Sequence, residues 1–368
     1  MIPYGRQSID DADIAAVIAV MKSEWLTTGP AIEAFEQGII RATGARHAVA
    51  FANGTATLHG CVAAAGLGSG DLLVTSPLTF MASANCGRYV GASIDLIDID
   101  PATLNLDPSR VGPDADALVA VHYAGLPVDL RALRHRPRVV IEDAAHALGA
   151  MTPDGPVGNC ARSDMCSFSF HPVKPVTTGE GGVVTTNSDE LAERLRRFRT
   201  HGIVRRPELG GWYYDIADLG FNYRMTDMQA ALGLSQLTRL DSFIDRRNQI
   251  ADRYRLLLAD LPVTLPPAAP AGFRHGYHLF PIQVADRHRV FTALRDADIF
   301  VQVHYVPIYA HSISTDIGKS AADYPNCATA YEGLISMPIY PDLTDDEQDH
   351  VVATLASVLN DDQTTTPR

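Results

Sequence analysis

The chain runs to 368 residues, 46% hydrophobic and 20% charged, an ordinary globular balance over a length too great for one compact core, so two domains are expected. Its net charge of −13, from 30 basic and 43 acidic residues, argues against nucleic acid or an anionic membrane as partner and leaves anionic small molecules only where local donors meet them. Five scattered cysteines without a C-x-x-C pair, no charged-then-apolar leader and no apolar run near the ~18 residues of a membrane span predict a soluble cytoplasmic protein with reduced thiols.

In chain order, the spacing predicts a helix over Ser8–Met21, capped by Ser8 with Asp11 and striped by Ile14, Val17, Ile18 and Met21. Thr27-Thr28-Gly29-Pro30 ends it, and a second amphipathic helix runs through Ile32, Phe35 and Ile39. Short apolar runs then alternate with helical stretches. Strands are expected at His47–Ala52, Leu72–Ser76, Ser93–Ile99, Ala117–His122, Val139–Glu142, Met165–Phe170 and Gly182–Thr186. This alternation points to the α/β class with a mostly parallel sheet, which binds ligands at the carboxyl ends of its strands. Asn53, Asp143 and Lys174 each follow a strand and so can converge on one edge.

Asp189–Arg199 reads as a charged helix whose arginines form a solvated face or a helix end. A long helix is expected from Thr226 through Tyr254, then a proline-rich break at Pro262–Pro270. A strand over Tyr277–Val284 and helices near Arg287–Ala297 and Asp345–Leu359 predict a smaller α+β domain. The boundary falls near residue 240, giving domains of 1–240 and 241–368, with a frayed polar tail from Asn360.

Lys174 carries the strongest chemical signal. Pro172 and Pro175 fix its backbone, and apolar neighbours desolvate it, which penalises the ammonium form and favours a reactive neutral amine. A Schiff-base lysine needs that state; the alternative is a surface lysine on a proline-kinked loop. Asn53-Gly54-Thr55, between strand and helix, suits a phosphate at a helix start, or forms a plain N-cap and turn. Asp143, at a strand end with His146 three residues on, should be paired with a cation or hydrogen-bonded; a metal site is the rival. A paired aspartate beside such a lysine suggests pyridoxal phosphate, the aspartate keeping the pyridine nitrogen protonated.

Taken together, NGT at Asn53–Thr55, TF at Thr79–Phe80, EDAAHALGA at Glu142–Ala150, SFHPVK at Ser169–Lys174, GEGG at Gly179–Gly182 and FNYRMTD at Phe221–Asp227 resemble the DegT/StrS-type sugar aminotransferases over nearly the whole chain. The resemblance implies a fold-type I pyridoxal-phosphate enzyme with a mostly parallel seven-stranded sheet. HYAGLPVD at His122–Asp129 and VHYVPIY at Val303–Tyr309 are most similar to the pseudaminic-acid branch of that family. That branch aminates C4 of UDP-2-acetamido-2,6-dideoxy-β-L-arabino-hexos-4-ulose with L-glutamate as donor and 2-oxoglutarate as by-product. Other members act on keto sugars of the GDP-perosamine or UDP-bacillosamine type. Dehydratases on this scaffold carry His in place of the lysine, and regulatory relatives keep the pocket without turnover.

Residue by residue, the resemblance implies that Lys174 bears the cofactor and shuttles the proton, and that Asp143 pairs with the pyridinium. His146 lies near the cofactor's 3′-oxygen, and Phe80 stacks on the ring. Gly54, Thr55 and Ser169 hold the phosphate, with Asn222 reaching it from a partner subunit, which implies a homodimer with shared sites. Arg224 meets the donor carboxylate, and Tyr4 and His304 lie near the sugar nucleotide. Read alone, Phe80 could be core, His146 a satisfied structural histidine, and Tyr4 and His304 packing. Arg6, Arg205 and Arg206 are candidate diphosphate partners or solvated surface.

Overall fold

The computed structural model describes residues 1–364, with side chains as far as residue 360. Seven apolar runs become the strands of one sheet: β1 (His47–Phe51), β2 (Leu72–Thr75), β3 (Ser93–Leu96), β4 (Ala117–Val121), β5 (Val139–Asp143), β6 (Met165–Ser169) and β7 (Gly182–Thr186). Their order is β1-β7-β6-β5-β4-β2-β3, with β7 antiparallel to both neighbours and every other pairing parallel. Strands buried on both faces read as continuous apolar runs, as β4 does in Ala-Leu-Val-Ala-Val.

The register decides where the chemistry sits. Asp143 ends β5 opposite Val121 of β4 and Ser167 of β6, so the carboxyl ends of three adjacent parallel strands reach one edge. β7 runs the other way and starts at that edge, with Gly182 opposite both Phe51 and Ser169. A side chain at Gly182 would lie 2.7 Å from the Asn53 carbonyl oxygen, so only glycine lets β7 enter there.

The helices mostly match expectation and differ instructively in two places. α1 (Asp11–Met21) is capped by Asp10 with Asp13, each side chain accepting the other's backbone N–H. The expected cap, Ser8, bonds Asp342 instead. Asp13 is fully buried against Gln236 and Arg239, and that contact sets the helix start. The predicted stripe is not buried within the chain: Ile14 is 50% and Met21 62% exposed. The helix expected over 226–254 is two, α6 (Asp227–Leu237) and α7 (Leu240–Leu257), with no glycine or proline marking the break. Arg239 leaves helical geometry at the junction and reaches Asp10 and Asp13.

Between β1 and β2, α3 (Gly54–Ala64) packs on the sheet, and α4 (Ala82–Tyr89) follows β2; α2 (Pro30–Thr43) precedes β1. The arginine run of α5 (Asp189–Phe198) and its cap residue is not all solvated, since the cap, Arg199, turns inward to Glu36 at 2.6 Å and the Ala50 carbonyl at 2.7 Å. A second core gathers Tyr254 of α7, the antiparallel strands β8 (Phe280–Gln283) and β9 (Leu334–Met337), and Leu355 of the helix Asp345–Thr364. Ile2 joins that core because Ile2–Pro3 pairs in parallel with Ile299–Phe300. The last helix continues past Asn360, where fraying was expected; the rest of the tail lies outside the described residues. Among the described residues no helix is long and apolar enough to cross a membrane.

Candidate functional site

At the carboxyl edge lies a cavity of about 600 Å³ whose lining includes Lys174, Asp143, Gly54, Thr55, Ser169, Phe80, His146, Tyr4 and His304. Nine of the eleven residues expected at the site therefore share one space. Asn222 is exposed outside it, and Arg224 lines a separate cleft with Glu33, Glu36 and Arg199.

Lys174 follows β6 on a turn in which its backbone N–H donates to the His171 carbonyl. Its amine projects into the cavity, 3.4 Å from Nε2 of His278. Burial lowers its pKa to about 8; Asp143 pulls it up and Arg247 pushes it further down. A surface lysine would show none of this.

Asp143 is buried, and two donors fix its carboxylate. Ser83 Oγ donates to Oδ2 at 2.7 Å, and the Ala145 N–H donates to Oδ1 at 3.2 Å. Ser83 in turn lies 2.9 Å from the Thr79 hydroxyl. Glu142 belongs to the other face of the strand, bonded to His122 Nε2 at 2.8 Å and to the Ser163 hydroxyl. The rival metal reading of Asp143 with His146 gains no third ligand from Glu142, and no group of three His, Cys, Asp or Glu among the described residues could hold a metal ion.

The start of α3 forms another wall. Asn53 caps it by accepting the Ala56 N–H at 2.8 Å, and a helix start leaves first-turn N–H groups free for an anion. Gly54 is required here: a Cβ would come within 2.8 Å of Ser169 Cβ and 3.1 Å of its Oγ. Phe80 is 59% exposed at the cavity, so it is not core.

His146 is buried with Nε2 3.0 Å from the Tyr305 hydroxyl, while its Nδ1 and that of His278 have no partner among the described residues. Burial, with Lys174 next, holds both imidazoles well below the usual histidine range, hence neutral. His304 stands 4.9 Å from the Tyr4 ring, its Nδ1 2.9 Å from the Ser336 hydroxyl, and burial lowers its pKa to about 3. Ser83, His278 and Tyr305 went unnoticed in the sequence. Ser83 stands one helical turn past Thr79-Phe80, a spacing that could have flagged it. His278 and Tyr305 come from remote segments and carry no local signal.

These residues fit pyridoxal phosphate. There is an amine whose pKa burial lowers to about 8, a carboxylate held by two donors for a pyridinium, a glycine gap at a helix start for a phosphate, and orphaned imidazole nitrogens in the same cavity.

The model of the DegT/DnrJ/EryC1/StrS aminotransferase family matches residues 7–356. The spore coat polysaccharide biosynthesis protein SpsC of Bacillus subtilis is 36% identical, with 97% of each chain covered. Among solved structures, Spr1654 of Streptococcus pneumoniae, described as a candidate sugar aminotransferase and solved in its PMP form, is 28% identical. It superposes with a TM-score of 0.92 over 98% of this chain and 100% of its own. PseC of Helicobacter pylori, an aminotransferase of pseudaminic acid biosynthesis, is 27% identical with a TM-score of 0.91 over 98% and 99%. The chain belongs to the DegT/DnrJ/EryC1/StrS aminotransferase family and is a sugar aminotransferase with the fold-type I architecture.

Proposed function

We propose that this enzyme moves the amino group of L-glutamate to C4 of a UDP-linked 4-keto-6-deoxy-N-acetylhexosamine, releasing 2-oxoglutarate. The product is the UDP-4-amino-4,6-dideoxy-N-acetyl-β-L-altrosamine of pseudaminic acid biosynthesis. The observation that carries the reading is one cavity in which the Lys174 amine and the Asp143 carboxylate meet the start of α3. The cofactor is pyridoxal phosphate, which supplies an electron sink beside the reacting carbon.

The chain's own groups do the rest. Lys174 would hold the cofactor and, as the free amine, would take and return the proton at the substrate carbon; a pKa near 8 suits both near neutral pH. Asp143, oriented by Ser83 and Ala145, faces the ring nitrogen. Gly54, Thr55 and Ser169 would hold the phosphate, His146 would serve the 3′-oxygen and Phe80 would cover the ring. Tyr4 and His304 border the sugar. Because His146 and His304 stay neutral, they orient by hydrogen bonding and leave proton transfer to Lys174.

The site is completed by a second copy of the chain in the cytoplasm. The lining of the cavity holds a single lysine and no arginine, beside the acids Asp143 and Glu180. A phosphate, a donor with two carboxylates and a sugar diphosphate need more positive charge than that. Asn222 and Arg224 from a partner would supply the missing donors. The exposed Ile14, Met21 and Trp25 offer an apolar surface for the partner to cover.

The test is mass spectrometry of products from a panel of UDP- and GDP-linked keto sugars incubated with glutamate. Amination of the UDP-linked N-acetyl 4-keto sugar supports the reading. Preference for a GDP sugar or for a bacillosamine-type substrate overturns the substrate while leaving the chemistry in place. Absence of any amination points to the dehydratase or regulatory relatives.

A further inference from the structure

Arg247 lies on α7 and is 1% exposed, the largest fully buried side chain among the described residues. Its Nη1 donates to the carbonyls of Tyr277 at 3.1 Å and Ile339 at 3.0 Å, with His278 O further off at 3.5 Å. Among the described residues it has no carboxylate partner, and its Nε has no hydrogen-bond partner. Burying a cation this way costs several kcal/mol even after relaxation, and a neutral donor would clip the same carbonyls without that penalty. The charge itself therefore calls for a use.

The residues it clips point to that use. Tyr277 and His278 form the strand entry that brings the His278 ring to the Lys174 amine, Nε2 to Nζ 3.4 Å. The groups facing Lys174 across the cavity are Asp143, at the end of β5, and the imidazoles of His146, His278 and His304, with His171 and Glu180 on the same lining. The three imidazoles are uncharged. Asp143 is the charge that draws the amine toward its ammonium form. We propose that Arg247 is a positioning residue for Lys174: a buried guanidinium, lodged behind His278 without an acid of its own, whose charge offsets Asp143 and keeps the Lys174 amine free to react.

Two like charges in a water-poor interior repel far more strongly than in solvent, so the guanidinium acts on Lys174 without touching it. Burial, Asp143 and Arg247 are the influences on the lysine, and Arg247 acts in the lowering sense. Arg247 keeps its own proton, its pKa lowered by burial only to about 10. The inference rests on Lys174 being the working amine of the proposed reaction.

The chain makes the test direct, because its only lysines are Lys22, Lys174 and Lys319. Cofactor-free full-length protein is acylated with trace acetic anhydride across a pH series, and mass spectrometry follows Lys174 against exposed Lys22. The parent is expected to show half-maximal Lys174 reactivity near pH 8. Arg247→Gln, neutral but still a donor to the carbonyls, should raise that midpoint, and Arg247→Lys should leave it in place. Unmoved midpoints in both variants overturn the proposal, as does a parent Lys174 that titrates with Lys22. If Arg247→Gln does not fold, Arg247→Met fills the same volume and carries the same expectation. No cofactor or sugar enters this assay, so a wrong reaction assignment would leave the midpoint shift intact, and a failed shift would leave that assignment standing.

Discussion

Gly54→Ala tests whether the helix start at the cavity holds the cofactor's phosphate. The new methyl would lie 2.8 Å from Ser169 Cβ and 3.1 Å from its Oγ, against ordinary contact from 3.4 Å. The first turn of α3 and the end of β6 must therefore part by about 0.6 Å, and both carry proposed phosphate donors. A hydrogen bond to a charged group contributes about 1.5–3 kcal/mol, so stretching one of them past use should cost about 2 kcal/mol. That corresponds to a roughly 30-fold rise in the dissociation constant for pyridoxal phosphate. Absorbance titration of the cofactor-free protein reads it, with a thermal melt to confirm folding. Ser169→Gly removes the colliding Cβ along with the hydroxyl, so the double variant should be weakened by less than the sum of the two single variants. A Gly54→Ala protein that binds with parental affinity would refute the reasoning.

Ser83→Ala removes the 2.7 Å donor to Asp143, and about 2 kcal/mol of its orientation should go with it, lowering kcat/KM by ten- to a hundredfold with little change in melting temperature; Thr79→Val, one bond further out, should do less. Lys174 gives a stability prediction whose sign follows from its pKa, lowered from 10.5 to about 8. The unfolded chain binds more protons between those values, so stability of the cofactor-free protein rises with pH across that window. Lys174→Met should accordingly melt higher than the parent at pH 7 and lose that advantage by pH 10.5; a lower melting temperature at pH 7 would contradict it. All five cysteines are buried, and burial pushes their thiols up, Cys86 and Cys160 to about 12. The native protein should be inert to a disulfide reagent at pH 8 and release five equivalents on denaturation; rapid native labelling would count against this packing.

Much of the site was legible because its signals are local. Lys174 between prolines, Asp143 at a strand end and Gly54 before a helix each announce themselves within a few residues, and parallel strands bring them to one edge. Ser83, His278, Tyr305 and Arg247 were not, since their roles exist only once distant segments close around the cavity. The same holds for the Asp10 cap, chosen over Ser8 because Asp13 is gripped by Arg239, and for the break between α6 and α7, which no glycine or proline marks. The stripe on α1 was real as a pattern, but a pattern does not say what covers it, and among the described residues nothing does. Asn222 and Arg224 lie outside the cavity of their own chain, so their roles wait on a second copy.

The chemistry of this enzyme depends on which amine bears the cofactor. Borohydride reduction of the holoenzyme, followed by digestion and mass spectrometry, fixes the cofactor where it is bound, and with three lysines in the chain the answer is unambiguous. A phosphopyridoxyl group on the peptide containing Lys174, lost when glutamate is added before the reductant, is the predicted result. The group on Lys22 or Lys319, or on no lysine, would contradict it.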